Sequence, residues 1–219
     1  MASYTLCTTL LIYVMQYVTA MNEAQIGTFW LIFALFTAVG APAASFVAGK
    51  TNKKIAYMAF TGIMLILFAA YYFMGMATAM YAYVFSACMA FGAAGFWTMY
   101  YSMLIDNIEL YEFVYGKRRE GAIASLHSLV ITSGGAVASL SAGFSLELVG
   151  YYGGTHITES ISRGMLGMAT MVPAVILAVA IVCLVGYRLD RKEFAAMKEA
   201  LELKKQGKAY STELFERVL

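Results

Sequence analysis

Two groups of residues in this sequence have types and spacings that can do chemistry. The first is a set of aromatic and polar side chains inside long apolar runs: Trp97, then His127, Ser128, Ile131 and Thr132, with Tyr13 and Gln16 beside Tyr17 near the start. An indole face stacks on the apolar face of a sugar ring, and imidazole, amide and hydroxyl groups exchange hydrogen bonds with its hydroxyls. The second is the block D-N-I-E-L-Y-E-F-V-Y-G-K-R-R-E-G, in which Asp106, Glu109 and Glu112 precede Lys117, Arg118, Arg119 and Glu120. Charges this dense between two membrane-length stretches sit at the water interface or pair with one another. Paired, they form an ion-pair network able to lock against partner helices. Each group also has a plainer reading: Trp97 as a core residue, His127 satisfied by a neighbouring helix, Tyr13 as an interfacial anchor, the charged block as a solvated turn.

The elements that must carry these residues follow from hydropathy. Of 219 residues, 61% are hydrophobic and 13% charged, against about 25% charged in a soluble domain. The excess apolar surface must face lipid. Six continuous apolar runs, 4–20, 26–48, 55–75, 79–105, 121–149 and 165–187, reach the roughly 20 residues a helical crossing needs. They do not alternate as barrel strands would. The reading is an all-α membrane protein with six transmembrane helices over 1–188 and an amphipathic tail over 189–219. Lys50, Lys53 and Lys54, then Lys117 to Arg119, then Arg188, Arg191 and Lys192 mark three basic connections. By the positive-inside rule these are cytoplasmic, as are both termini, in an integral plasma (inner) membrane protein.

Helical rise then sets depth. Trp97 lies nine residues before Asp106 and His127 eight after Arg119, so both fall roughly 12–13 Å inside the basic end. Thr132 falls about 20 Å inside. Half a hydrocarbon core is about 15 Å, so two consecutive helices bring these residues to the midplane together. His127, Ser128, Ile131, Thr132 and Gly135 share one helical face. Gly135, Ser139 and Gly143 form a small-residue stripe suited to close helix packing. Pro42 and Pro173, the latter near the start of the sixth run, fit kinks. Cys7, Cys88 and Cys183 read as small buried residues. In the tail, Phe194, Met197 and Leu201 recur at helical spacing, with residues 210–219 expected to fray. No cleavable signal peptide, P-loop, metal-spaced Cys/His cluster, nucleophile elbow or dinucleotide fingerprint is present, so the sequence does not read as an enzyme.

The charged block resembles the signature that follows the tenth helix of the glycoside–pentoside–hexuronide:cation symporters, the melibiose permease-like family. The pattern is an Asp, an acid three on, a Glu six on, a Gly ten on, basic residues and E-G; here these are Asp106, Glu109, Glu112, Gly116, Lys117 to Arg119, Glu120 and Gly121. Trp97 resembles the family's substrate-stacking tryptophan. S-L-H-S-L-V-I-T resembles its sugar-contacting eleventh helix, with His127 for a usual Gln and Thr132 for a common Lys. The resemblance implies the carboxyl-terminal half of a twelve-helix major facilitator fold that carries a sugar by symport. It implies no cofactor, a coupling Na⁺ or H⁺ bound mainly in the missing amino-terminal half, and a bilayer setting. The partner would be that half or a second copy, and not nucleic acid. The competing readings are a non-transporting remnant or scaffold subunit, and a carrier of another solute such as a lysolipid.

Overall fold

Where no water reaches the backbone, each N–H and C=O must find its partner within the segment, and continuous apolar runs wind into helices. The computed structural model describes residues 1–153, 156–186 and 191–215, and these are helical with short connections. The helices are α1 (Ala2–Tyr13, running on as a π-helical turn Val14–Val18), α2 (Glu23–Lys50), α3 (Lys53–Met74), α4 (Ala79–Tyr115), α5 (Glu120–Leu148), α6 (Glu159–Val185) and α7 (Arg191–Lys205). Local chemistry sets the ends. Asn22 and Gln25 close a reciprocal capping box on α2, each side chain accepting from the other's backbone N–H at 2.9 and 3.0 Å. Asn52 caps α3 by accepting from the Lys54 N–H. Gly116, at φ 69°, ends α4 in the left-handed conformation that costs a residue with a Cβ.

Five helices, α2 to α6, are long and apolar enough to cross a membrane, which makes the chain an integral membrane protein. The first expected span is different. Ser3 donates to the Pro173 carbonyl at 2.8 Å, and Pro173 sits at the middle of α6, not near its start. At the other end Thr19 donates to the carbonyl of Met76, in the α3–α4 connection. The first helix therefore runs from the level of Pro173 to the α3–α4 connection.

α4 is the centre. Over its apolar stretch 56% of residues are buried, against 11% for α2. Three glycines explain how it packs so closely. A Cβ on Gly95 would overlap the Phe60 ring, one on Gly92 would press on Met64, and Gly40 of α2 lies against Ala94 and Phe91. Phe60, Met99, Ala44 and Ala56 form one buried cluster there. A larger one joins Leu10, Leu11 and Met15 of the first helix to Met64 and Phe68 of α3, Phe85 and Met89 of α4, Ala138 and Ala142 of α5, and Ala169 of α6.

Several expectations are corrected. The packed stripe of α5 is Ala138, Ala142 and Ser145, while a Cβ on Gly135 or Gly143 would meet nothing within 4 Å and Ser139 is exposed. α5 packs on the first helix, which covers only part of its length. Pro42 and Pro173 lie inside α2 and α6, where a proline removes a hydrogen bond of the helical ladder. Cys7 is buried, but Cys88 and Cys183 are exposed on the outer faces of their helices. The acidic half of the charged block is not a connection: Asp106, Glu109 and Glu112 lie in the last turns of α4, whose 37 residues extend about 55 Å. α7 packs on that extension through Met197, Ala200 and Leu201, with Phe215 buried against Phe113, so the described end of the tail is not frayed. Arg188 lies outside the described residues.

Two substitutions test the packing. Gly95→Ala forces a methyl group into the Phe60 ring and is expected to cost about 1–3 kcal/mol. It should lower the unfolding midpoint in detergent. Gly135→Ala, into open space, should leave that midpoint unchanged or slightly raised.

Candidate functional site

At mid-depth, α4 and α5 bring rings together. The Trp97 indole meets Tyr4 of α1 edge-on at 6.1 Å and lies nearly parallel to Tyr101 at 5.8 Å and 24°. The 97/101 spacing puts both on one face of α4. His127 of α5 approaches Tyr100 at 5.3 Å and Tyr101 at 5.8 Å, so the two tyrosines bridge Trp97 to the histidine. Tyr100 is itself braced by Phe96, at 6.0 Å and 3° from parallel. His127 Nε2 is shielded and has no hydrogen-bond partner. A polar atom buried that way costs about 1–3 kcal/mol, which a ligand hydroxyl would recover.

The other residues picked from sequence divide. Ile131 shares the partly covered face of α5 with His127, while Ser128 and Thr132 sit beside it and are exposed. Tyr13 lies apart: its ring meets Tyr17 at 6.4 Å and Tyr151 at 6.0 Å, at the opposite end of the first helix from Tyr4. Gln16 is exposed within the π-helical turn. Neither Tyr13 nor Gln16 joins the cluster around Trp97. Tyr100 and Tyr101 were legible only as neighbours of Trp97 at helical spacing.

Beyond this cluster, α4 continues as a charged column. The sequence offers Asp106 three basic neighbours in its own block, yet its partner is Lys53 at the start of α3, whose Nζ lies 2.7 Å from both carboxylate oxygens. Asp106 is buried, and an unpaired carboxylate there would be costly. The Phe194 ring of α7 lies 5.3 Å from the Lys53 ammonium and roofs the pair. Arg118 bridges Glu112 and Glu120. Glu112 also takes Lys205 of α7 at 2.7 Å, and Glu109 faces Lys198 at 3.8 Å. Lys204 donates to the Phe113 carbonyl at 2.6 Å. The network is thus real but differently wired: α3 and α7 supply most of its cations, and Lys117 and Arg119 make no ion pair among the described residues. Glu112 stands outside the spanning part of α4, and the Lys205 hydrogen bond, with the charges of Lys205 and Arg118, holds its carboxyl below the usual range against a smaller opposing effect of burial.

Residues 1–191 match the family described as MFS/sugar transport protein. The chain belongs to that family. It is also similar to an uncharacterized symporter, YnaJ, of Bacillus subtilis (strain 168), at 28% identity over 123 residues. That match covers 55% of this chain and 27% of the relative, so it spans well under half of the relative's length.

Two predictions follow from the charged column. Lys53→Met or Asp106→Leu alone should destabilise the bundle by about 1–3 kcal/mol, less than a fully buried pair because the lysine is partly exposed. The double variant should recover much of the loss in a double-mutant cycle on the unfolding midpoint. A depressed Glu112 pKa stabilises the folded form above the unfolded value and is lost as pH falls through the folded one. Hydrogen exchange in α7 should therefore quicken on acidification below about pH 4, and Glu112→Gln should flatten that dependence.

Proposed function

We propose that this chain is the carboxyl-terminal half of a cation-coupled symporter for sugars or glycosides, working by alternating access. In this reading residues 1–188 supply six helices of a twelve-helix transporter and 189–219 form a cytoplasmic tail on its inner face. The basic end of the bundle, with Lys50, Lys53, Lys54 and Lys117 to Arg119, faces the cytoplasm. The coupling Na⁺ or H⁺ binds mainly in the companion half, since the helices here carry no acid at mid-depth. The observation that carries the reading is the Trp97–Tyr101–His127 cluster, where stacking surface and an unsatisfied imidazole nitrogen meet at the midplane. The charged signature at the end of α4 supports it, and its helical column gives a gate something rigid to close on.

α2 and α5 leave most of their surface uncovered within this chain. A companion amino-terminal half, or a second copy, would cover those faces and complete the cavity. Uptake of labelled glycosides into vesicles holding this chain with an amino-terminal half is the direct test. Trp97→Ala is expected to reduce that uptake about tenfold or more, an effect of roughly 1.4 kcal/mol, with Trp97→Phe intermediate. Unchanged uptake in Trp97→Ala would remove the site.

A further inference from the structure

α3 and α6 run antiparallel, each starting beside the end of the other. At one end the Lys54 ammonium donates to the Val185 carbonyl at 2.9 Å. At the other, Tyr72 lies so close to α6 that a Cβ on Gly167 would come 3.2 Å from its ring. Beside that contact is an open cavity of about 400 Å³, lined by Tyr72, Phe73, Met74, Gly75, Arg163 and Leu166. Its volume is within the range of small-molecule sites. Leu166 is buried, whereas Phe73 and Met74 are exposed over 78% and 63% of their surface. Arg163 is the one Lys or Arg between Arg119 and Arg188. It donates to Glu159 at 2.8 Å through Nη2, but both side chains are 80% exposed, so the pair holds neither group firmly. Its remaining guanidinium N–H groups make no hydrogen bond among the described residues.

We propose that this cavity binds the phosphodiester of a glycerophospholipid. Arg163 offers the planar fork of its guanidinium to two phosphate oxygens, and the Tyr72 hydroxyl donates to a phosphate or glycerol oxygen. Phe73 and Met74, exposed at the cavity, lie along the first methylenes of the acyl chains. The place of the cavity in the bundle selects a lipid over free phosphate. The 22 residues of α3 rise about 33 Å, close to the roughly 30 Å of a bilayer core. An α3 that crosses with Lys53 and Lys54 at one interface brings Tyr72 to Gly75 to the other. Apolar side chains exposed there meet acyl chains, and a lipid phosphate reaches Arg163 already tethered at high local concentration. Glu159 competes with the phosphate for the guanidinium and sets the affinity below that of an unpaired arginine. The bound lipid bridges the end of α3 to the start of α6. The site is separate from the Trp97 cluster and stands whatever the transported solute is.

The test titrates the full chain, purified in a maltoside detergent, with dioctanoyl phosphatidylglycerol and follows hydrogen exchange peptide by peptide. Added lipid is expected to slow exchange in residues 70–78 and 156–167, and its concentration dependence there gives a Kd for this site alone. Arg163→Gln is expected to weaken that Kd about tenfold. Arg163→Lys should fall between, because an ammonium is a point charge and not a fork. Glu159→Gln, which releases the guanidinium, is expected to strengthen binding about threefold. A merely structural Arg163–Glu159 pair would lower the unfolding midpoint equally in Arg163→Gln and Glu159→Gln and leave both lipid affinities unchanged; that result overturns the proposal. Protection confined to the basic end, around residues 50–54 and 117–121, overturns it as well. Dioctanoylglycerol, which has the chains without the phosphate, should give little protection. If it protects as well as the phospholipid, the cavity is an apolar groove and the phosphodiester assignment fails. Inorganic phosphate at millimolar concentration should not displace the lipid; displacement would assign the cavity to a free anion instead.

Discussion

The structure depends on how closely α3 can approach α4. Gly92 and Gly95 remove the side chains that would separate the two backbones, and Met64 and the Phe60 ring fill the space a Cβ would need. In a bilayer, lipid tails solvate apolar side chains as well as neighbouring helices do, so association relies on close packing instead of water exclusion. That places the burden on small residues. Once α4 is fixed on α3 and α2, its register is fixed too. Trp97 arrives at mid-depth with Tyr100 and Tyr101, and Asp106 arrives at the end of α3 where Lys53 begins.

The same packing leaves the two chemically interesting regions with different numbers of partners. Around Asp106 every group is held: Lys53 contacts both carboxylate oxygens, Phe194 covers the ammonium, and α7 is fastened by Lys204, Lys205 and a small apolar core. Around His127 little is held from the α5 side. The first helix packs on Ala138 and Ala142, while Ser128 and Thr132 are exposed on their own segment of α5.

Much of the fold was readable as hydropathy and charge. The apolar runs from 26 to 187 became α2 to α6, the glycine at 116 ended α4, and Phe194, Met197 and Leu201 did form the buried face of a tail helix. The site was readable in part. Helical rise alone put Trp97 and His127 at one depth, and the structure links them through Tyr100 and Tyr101. Depth along an axis says nothing about rotation around it, however. That is why Tyr13 and Gln16 seemed to belong to the same cavity and instead face Tyr17, Tyr151 and the surface.

By itself the sequence determined what each segment must be: runs without charge can only be helices in lipid, and charges crowded after residue 105 can only stand outside it or pair. Only the tertiary structure decided who meets whom. Lys53 and Asp106 are 53 positions apart, and nothing local distinguishes that lysine from Lys117 or Arg119. The small-residue stripe through which α5 packs on the first helix is Ala138 and Ala142, not Gly135 and Gly143. Hydropathy and helical rise are properties of a segment. Azimuth and partner are properties of the packed bundle, set by which side chains are small enough to let another backbone in.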